Sequence, residues 1–156
     1  MIARAAFSPL LLLLLAAGFA CSKPLTVEQQ VIATIRQMEE RIEEGERRPF
    51  MKFIAEDFSG QDEMMTRDQV RALVIFQLNR HQRLQAQLFP IRVRETGEGT
   101  ATAHFRALIT GGPGWIPESG QVYDFETWWR RGDDGWLLQK ANWEPVPLDE
   151  ALENVL

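Results

Sequence analysis

Apart from its carboxylates, few side chains in this sequence have the chemistry for acid–base or nucleophilic catalysis. The chain contains two histidines, His81 and His104, one tyrosine, Tyr123, and one cysteine, Cys21. A histidine that takes a proton beside a phenol that donates a hydrogen bond is a workable pair, so His81 with Tyr123 is the one catalytic combination that we name. Neither residue lies in a catalytic motif, and we therefore make no firm catalytic assignment.

The residue pattern does not suggest a metal or cofactor site. No HExxH segment and no cysteine pair accompanies the two histidines, and these are patterns in which zinc ligands occur. The sequence also lacks a GxSxG elbow, a phosphate-cradling loop and a dinucleotide fingerprint. We therefore predict no metal and no cofactor.

The first twenty residues have the pattern of an export signal. Arg4 supplies the positive charge, and an apolar run from Leu10 to Ala20 follows it. Counted from Ala5, the stretch is shorter than the roughly 20 residues that a transmembrane helix needs, and it includes Ser8 and Pro9. We predict that residues 1–20 are a signal peptide and are removed.

Cys21 stands directly after this run, behind the small residue Ala20 and before the polar segment 22–24. This arrangement resembles a bacterial lipoprotein signal. The resemblance implies that the thiol of Cys21 carries a lipid and that residues 21–24 tether a folded domain to a membrane. The expected location is the bacterial cell envelope, with the domain facing the periplasm. Ordinary secretion with an incidental cysteine is the alternative.

Composition and charge describe one soluble domain. The chain has 156 residues, of which 45% are hydrophobic and 25% are charged, close to the averages for globular proteins. Its net charge of −5 disfavours a polyanionic partner, so we predict no nucleic-acid binding. A single cysteine excludes a disulfide within the chain.

The first half of the chain after the signal has helical periodicity. Thr26 with Gln29, and Thr66 with Gln69, form capping boxes that predict the starts of two helices. The first helix ends at Gly45, and Pro49 begins a short second one. Residues 56–63 read as an acidic loop that could bring a carboxylate, from Glu56, Asp57, Asp62 or Glu63, to the rim of a pocket. An exposed acidic loop is the alternative.

From residue 83 the hydrophobic period changes from 3.6 to 2, which predicts strands. Candidate strands are 84–95, interrupted by Pro90, and 100–110, 121–131 and 136–144, with glycine-rich turns between them. Helices followed by a meander of strands predict an α+β fold, with N-terminal helices packed on a curved antiparallel β-sheet.

This order of elements resembles the nuclear transport factor 2-like (NTF2-like) superfamily, which shares a cone-shaped fold with ketosteroid isomerase, scytalone dehydratase and the SnoaL-type cyclases. The segment 53–58 (FIAEDF) and the closing strand 135–138 (GWLL) also carry the resemblance. It covers residues 25–146 and leaves 147–156 as a C-terminal tail. It implies a pocket between sheet and helices and frequent dimers, but it does not imply a reaction, because the superfamily mixes enzymes with binding modules.

Strand alternation predicts which side chains share a face of the sheet. If paired positions in 100–110 and 121–131 sum to 230, Arg106 faces Asp124 and His104 faces Glu126. For the last hairpin we expect paired positions in 121–131 and 136–144 to sum to 266, which places Trp128 beside Leu138 and Thr127 beside Gln139. One face is then charged and ends in Trp128, Trp136 and Leu138. The other is apolar and faces the helices, with large aromatic residues beside alanines.

The apolar face is the predicted site of a small-molecule pocket. The predicted lining residues are Tyr123, Thr127, Gln139, Trp129, Trp143 and Phe105, with His81 reaching in from a helix. A filled core is the alternative. No carboxylate shares this face, so we expect a non-catalytic module that binds a small apolar ligand or a protein, and that forms a homodimer through the charged face. The alternatives are a SnoaL- or ketosteroid isomerase-like isomerase, dehydratase or cyclase, and a structural dimer with a filled pocket.

Overall fold

The computed structural model describes residues 23–81, 83–112, 119–147 and 150. Three helices lie in these ranges, α1 (Val27–Glu43), α2 (Arg47–Met51) and α3 (Arg67–Arg80). The strands are β1 (Ile54–Gly60), β2 (Met65–Thr66), β3 (Arg83–Leu88), β4 (Arg92–Gly97), β5 (Thr100–Gly112), β6 (Ser119–Gly132) and β7 (Gly135–Val146). The predicted signal peptide, Cys21 and all of the tail after Pro147 except Glu150 lie outside the described residues. Within them, no helix is long and apolar enough to cross a membrane.

Both predicted capping boxes are present. The Thr26 hydroxyl accepts a hydrogen bond from the backbone N–H of Gln29 at 3.2 Å, and the Gln29 side chain accepts from the backbone N–H of Thr26 at 3.0 Å. Thr66 and Gln69 make the same reciprocal pair at the start of α3. Each box satisfies two backbone donors that the first turn of a helix leaves free. The helix starts at Val27 and Arg67 follow from these local signals.

The sheet has seven strands in the order β2-β1-β7-β6-β5-β3, and β4 also pairs with β5. The fold is α+β with helices on a curved sheet, as predicted, but the sheet is not wholly antiparallel. Segment 54–60, whose acidic part we read as loop, is β1, and it pairs in parallel with β7. Glu56 and Asp57 are exposed between the buried residues Ala55 and Phe58, and this break in alternation hid the strand.

The register of the central strands is confirmed. Arg106 lies opposite Asp124 and His104 lies opposite Glu126. The same register continues along the whole β5–β6 ladder. The interruption at Pro90 is also present, since β3 and β4 pair with successive parts of β5 on either side of it. Proline has no N–H to donate, which ends one strand before the next begins.

The register that we chose for the last hairpin is wrong. Trp128 pairs with Lys140 but Trp129 pairs with Leu138, so Gln139 is an extra residue in a β-bulge. A one-residue shift exchanges the faces of the residues before it. Trp136 and Leu138 therefore face the helices and are buried, whereas Leu137 and Gln139 take the opposite face.

The core lies between α1 and the end of the sheet at which β6 turns into β7. Val31 and Ile35 of α1 are buried and belong to one cluster with Ala101, Ala103 and Trp129. The indole N–H of Trp136 donates to the Gln30 side chain on α1 at 3.0 Å, which gives this tryptophan both an apolar site and a polar partner. Each fully buried aliphatic side chain contributes about 1.5 to 3 kcal/mol, so this end is the rigid base of the domain.

Candidate functional site

Four aromatic side chains of the central strands form a continuous row on the side of the sheet that faces the helices. The ring centroids of Phe105 and Phe125 are 5.2 Å apart in a stacked pair, and those of Phe125 and Trp143 are 6.4 Å apart. Tyr123 lies 6.2 Å from Phe125 with its ring tilted by 56°. We call these four residues the aromatic row.

Burial decreases along β6 toward this row. Trp129 and Thr127 are each 2% exposed, whereas Phe125 and Tyr123 are half-buried. Helix α3 makes its close backbone contacts with β1, β2, α2 and β3, and few with the central strands. Phe125 and Tyr123 are therefore less buried than the residues nearer the β6–β7 turn, and their rings offer an apolar surface to a ligand.

Two predicted lining residues belong to the closed end instead. The Thr127 hydroxyl donates to the Ala103 carbonyl at 2.9 Å and accepts from the indole N–H of Trp129 at 2.9 Å. This arrangement satisfies both polar groups within the core. Thr127 and Trp129 consequently hold β5 and β6 together beneath the aromatic row.

Gln139 lies on the other face of the sheet because of the bulge. The carboxylate of Asp57 on that face accepts from Arg130 at 2.7 Å, and the Gln139 side chain is among the groups that lower the pKa of Asp57. The guanidinium of Arg130 lowers the pKa of Asp57 below its usual value. We correct the face assignment of Gln139 accordingly, since it contacts the charged face and not the aromatic row.

Tyr123 is the polar residue of the aromatic row. Its hydroxyl has no hydrogen-bond partner among the residues that the structure describes. Its neighbours across the strands are Ala107 and Pro145, which are small or offer no side-chain donor. A half-buried phenol next to stacked rings and without a partner can donate to, or accept from, a ligand that lies on the row.

His81 is not next to Tyr123. It ends α3, and its imidazole lies directly over the backbone of Gly111, where a Cβ would be 2.6 Å from the Cγ and Nδ1 atoms of the ring. Gly111 is four residues from Ala107, the cross-strand neighbour of Tyr123, which corresponds to about 13 Å along a strand. No hydrogen bond joins the two candidate catalytic residues in the described part of the chain.

Three carboxylates near the sheet pair with cations or amides away from the row. Asp124 lies 2.6 Å from His104 Nε2 and accepts from Arg106 Nε at 3.3 Å on the charged face. Of the predicted acidic loop, Glu56 pairs with Arg67, and Asp62 accepts from Asn142 at 2.8 Å. The helix-facing positions of β5, β6 and β7 contain no aspartate or glutamate.

Phe125 is the central residue of the row, and the predicted lining omitted it. It contacts Phe105, Trp143 and Tyr123, and strand alternation already placed it on the helix-facing side. Val74 of α3 also packs against the core beside this space. Alternation could have found Phe125, but no sequence signal says which helical residue lies above it.

The helices and the curved mixed sheet have the arrangement of the NTF2-like cone fold. Solved structures agree with this fold. A protein of the NTF2-like family from Streptomyces avermitilis, proposed to be a dehydratase, is 22% identical, covers 77% of this chain and 96% of its own, and superposes with a TM-score of 0.66. A proposed scytalone dehydratase from Novosphingobium aromaticivorans is 8% identical, with coverages of 76% and 83% and a TM-score of 0.64.

Bd1075 of Bdellovibrio bacteriovorus is 8% identical over 76% of this chain, with a TM-score of 0.66. This chain spans only 41% of the length of that protein. No protein-family model and no curated protein matches the sequence. At these identities the likeness establishes the fold alone.

Proposed function

We propose that this protein is an exported, lipid-anchored NTF2-like domain that binds a small apolar ligand in the bacterial envelope without catalysing a reaction. The observation that carries the proposal is the aromatic row, in which the Tyr123 hydroxyl has no hydrogen-bond partner among the described residues and no carboxylate lies on the same face of β5, β6 and β7. A wall of this kind suits an uncharged, flat molecule with a single hydrogen-bonding group.

Catalysis is disfavoured by the placement of the ionisable groups. An isomerase or dehydratase needs a base within hydrogen-bond reach of the substrate proton. His81 lies over Gly111, and Asp57 and Asp124 are engaged with arginines on the opposite face. A ligand on the aromatic row would therefore meet a donor in Tyr123 but no carboxylate base from the central strands.

The alternative function is that of a SnoaL-type dehydratase, isomerase or cyclase. What favours it is the pair of structural neighbours that are proposed dehydratases, together with a phenol in the pocket. In such an enzyme Tyr123 would stabilise negative charge on a substrate oxygen. A third candidate is a structural dimer whose pocket is filled.

Binding is tested with an uncharged fluorescent probe such as Nile red. Trp143→Leu removes a ring of the aromatic row, and we expect about tenfold weaker probe binding, equivalent to about 1.4 kcal/mol. Trp128→Leu is the matched control, because Trp128 is also half-buried but lies on the charged face beside Lys140. Equal effects of the two substitutions, or no binding to wild type, would refute the ligand site.

The anchor is supported by the position of Cys21 after the apolar run. Several acyl chains, each stabilised by about 0.8 kcal/mol per buried CH₂, would hold the domain at a membrane. Labelling with a radioactive fatty acid should mark wild-type protein and not Cys21→Ala. Equal labelling of both would remove Cys21 as the attachment point, and unlabelled soluble wild type would support ordinary secretion.

We also propose a homodimer through the charged face. Its support is the alternation of charge across the central strands, with His104 and Arg106 on β5 opposite Glu126 and Asp124 on β6. A two-fold axis parallel to the strands would place β5 of one copy over β6 of the other, so that unlike charges meet. Sedimentation should show a dimer that dissociates with salt, and a monomer at low salt would refute it.

A further inference from the structure

The N-terminal segment is held against the start of α1. The Leu25 carbonyl accepts a hydrogen bond from the Gln30 side chain at 2.7 Å, and Thr26 caps the helix. Only residues 22–24 separate Leu25 from Cys21. Four residue steps span at most about 14 Å, so any group attached to Cys21 stays close to this end of the domain.

This end of the domain also contains two hairpin turns. Gln30 accepts from Arg131 at 3.0 Å as well as from Trp136, and the backbone N–H of Arg131 donates to the Gly99 carbonyl at 2.8 Å. The turns after β4 and β6 are thus next to the start of α1. We call this region the hairpin end.

The aromatic row lies far from the hairpin end. Tyr123 is eight residues along β6 from Arg131, which is about 27 Å in an extended strand. Gly111, with His81 over it, lies further along the sheet. The distance from the hairpin end to Tyr123 is about twice the reach of the tether.

We propose that the hairpin end faces the anchoring membrane and that the aromatic row lies on the side away from it, so that a ligand of the row arrives through water and is not drawn from the bilayer that holds the protein. This inference rests on the proposed anchor at Cys21. The exposed acidic residues Glu98, Asp133 and Asp134 keep the hairpin end at headgroup level, because charged groups are unfavourable in the hydrocarbon. The ligand class is therefore an apolar molecule soluble enough to travel free or delivered by a carrier.

The orientation is measured by energy transfer to acceptor lipids in vesicles. The protein starting at residue 21, with six histidines replacing Cys21, binds vesicles that contain a nickel-chelating lipid and carries one dye. The dye is attached through Asp134→Cys at the hairpin end or through Ser119→Cys at the opposite end of β6; both positions are exposed. We expect clearly stronger transfer from position 134, and equal or stronger transfer from position 119 would overturn the proposal.

Attachment through the other terminus is the matched control. The chain leaves β7 at Val146, and ten residues that reach about 36 Å follow it, so a C-terminal histidine tag should hold the domain loosely and reduce the difference between the two dyes. A smaller difference shows that transfer reports orientation, and an unchanged difference would refute the geometry on which the proposal depends. Chelation does not need a lipidated cysteine, so a failed fatty-acid label refutes the anchor separately.

The source of the ligand has its own measurement. Nile red is supplied in vesicles, and its uptake is compared between attached protein and the same protein released with imidazole. Equal rates at equal protein concentration are expected if the probe passes through water. Faster uptake by the attached protein would show extraction from the anchoring bilayer and would overturn this part of the proposal.

Discussion

The side-chain amide of Gln61 hydrogen-bonds the backbone of Trp143 on β7, just beyond the residue at which β1 ends. Its Nε2 donates to the Trp143 carbonyl at 2.9 Å, and its Oε1 accepts from the Trp143 N–H at 3.1 Å. This pair satisfies the exposed edge of β7 and holds the backbone of Trp143, a member of the aromatic row. A half-buried loop residue thereby positions the wall of the candidate site.

Gln61→Ala should destabilise the domain and loosen the aromatic row. The loss of two hydrogen bonds predicts a decrease of about 1 to 3 kcal/mol in the free energy of unfolding, measured by urea denaturation. Nile red binding should weaken in the same variant. Gln87→Ala, an exposed glutamine of β3, is the control and should change neither quantity; an unaffected Gln61→Ala would show that the pair contributes nothing.

Glu63→Gly should stabilise the protein. Gln61, Asp62 and Glu63 have φ values of 51°, 54° and 72°, in the left-handed region that is unfavourable for residues with a Cβ. Removal of the backbone strain at Glu63 should raise the free energy of unfolding by about 0.5 to 1 kcal/mol. This net value already subtracts the extra conformational entropy that glycine loses on folding. Glu63→Ala keeps the Cβ and should be close to neutral, so an equal gain in both variants would exclude backbone strain as the cause.

Gly111→Ala should conflict with His81. The new methyl group would lie 2.6 Å from the imidazole, at ring atoms close to the backbone that cannot easily move aside. Overpacking of this kind costs about 1 to 3 kcal/mol. His81→Ala should recover most of that loss in the double variant, and additive destabilisation in a thermodynamic cycle would disprove the contact.

The pair of Asp57 and Arg130 should make stability depend on pH. Arg130 lowers the pKa of Asp57 in the folded state. The contribution of the ion pair to the free energy of unfolding is therefore complete above the pKa of Asp57 in the unfolded chain, and it is lost as the pH falls through the pKa of Asp57 in the folded protein. The pair is exposed, so the effect stays within about 1 kcal/mol. Asp57→Asn should be less stable than wild type at about pH 7 and equal to it at about pH 2, where both side chains are uncharged; a constant difference would rule out the ion pair.

Tyr123→Phe distinguishes a binding module from an enzyme. In a binding module the substitution removes one hydrogen bond to the ligand, and affinity should fall by about 0.5 to 1.5 kcal/mol with the fold intact. In a dehydratase or isomerase it would remove a transition-state donor and decrease the rate roughly 100-fold to 1000-fold. Turnover of a small carbonyl substrate that collapses in this variant, at an unchanged melting temperature, would replace our proposal with catalysis.

The sequence by itself determined the features that depend on neighbouring residues or on regular alternation. The starts of α1 and α3 follow from Thr26 and Thr66, because a capping box acts within four residues. The β5–β6 register follows from unlike charges that face each other on adjacent strands, His104 with Glu126 and Arg106 with Asp124. Regular pairing carries this information along the entire ladder.

Only the tertiary structure decided the features that depend on distant contacts. β1 exists because its backbone pairs with β7, about eighty residues later, and no local pattern announces that pairing. The bulge at Gln139 lets Trp136 reach Gln30 on α1, so a packing contact with a helix overrides the regular hairpin register. His81 takes its position because Gly111 leaves room for its ring. The partial exposure of the aromatic row depends on where α3 packs, and that position is set by tertiary packing and not by periodicity.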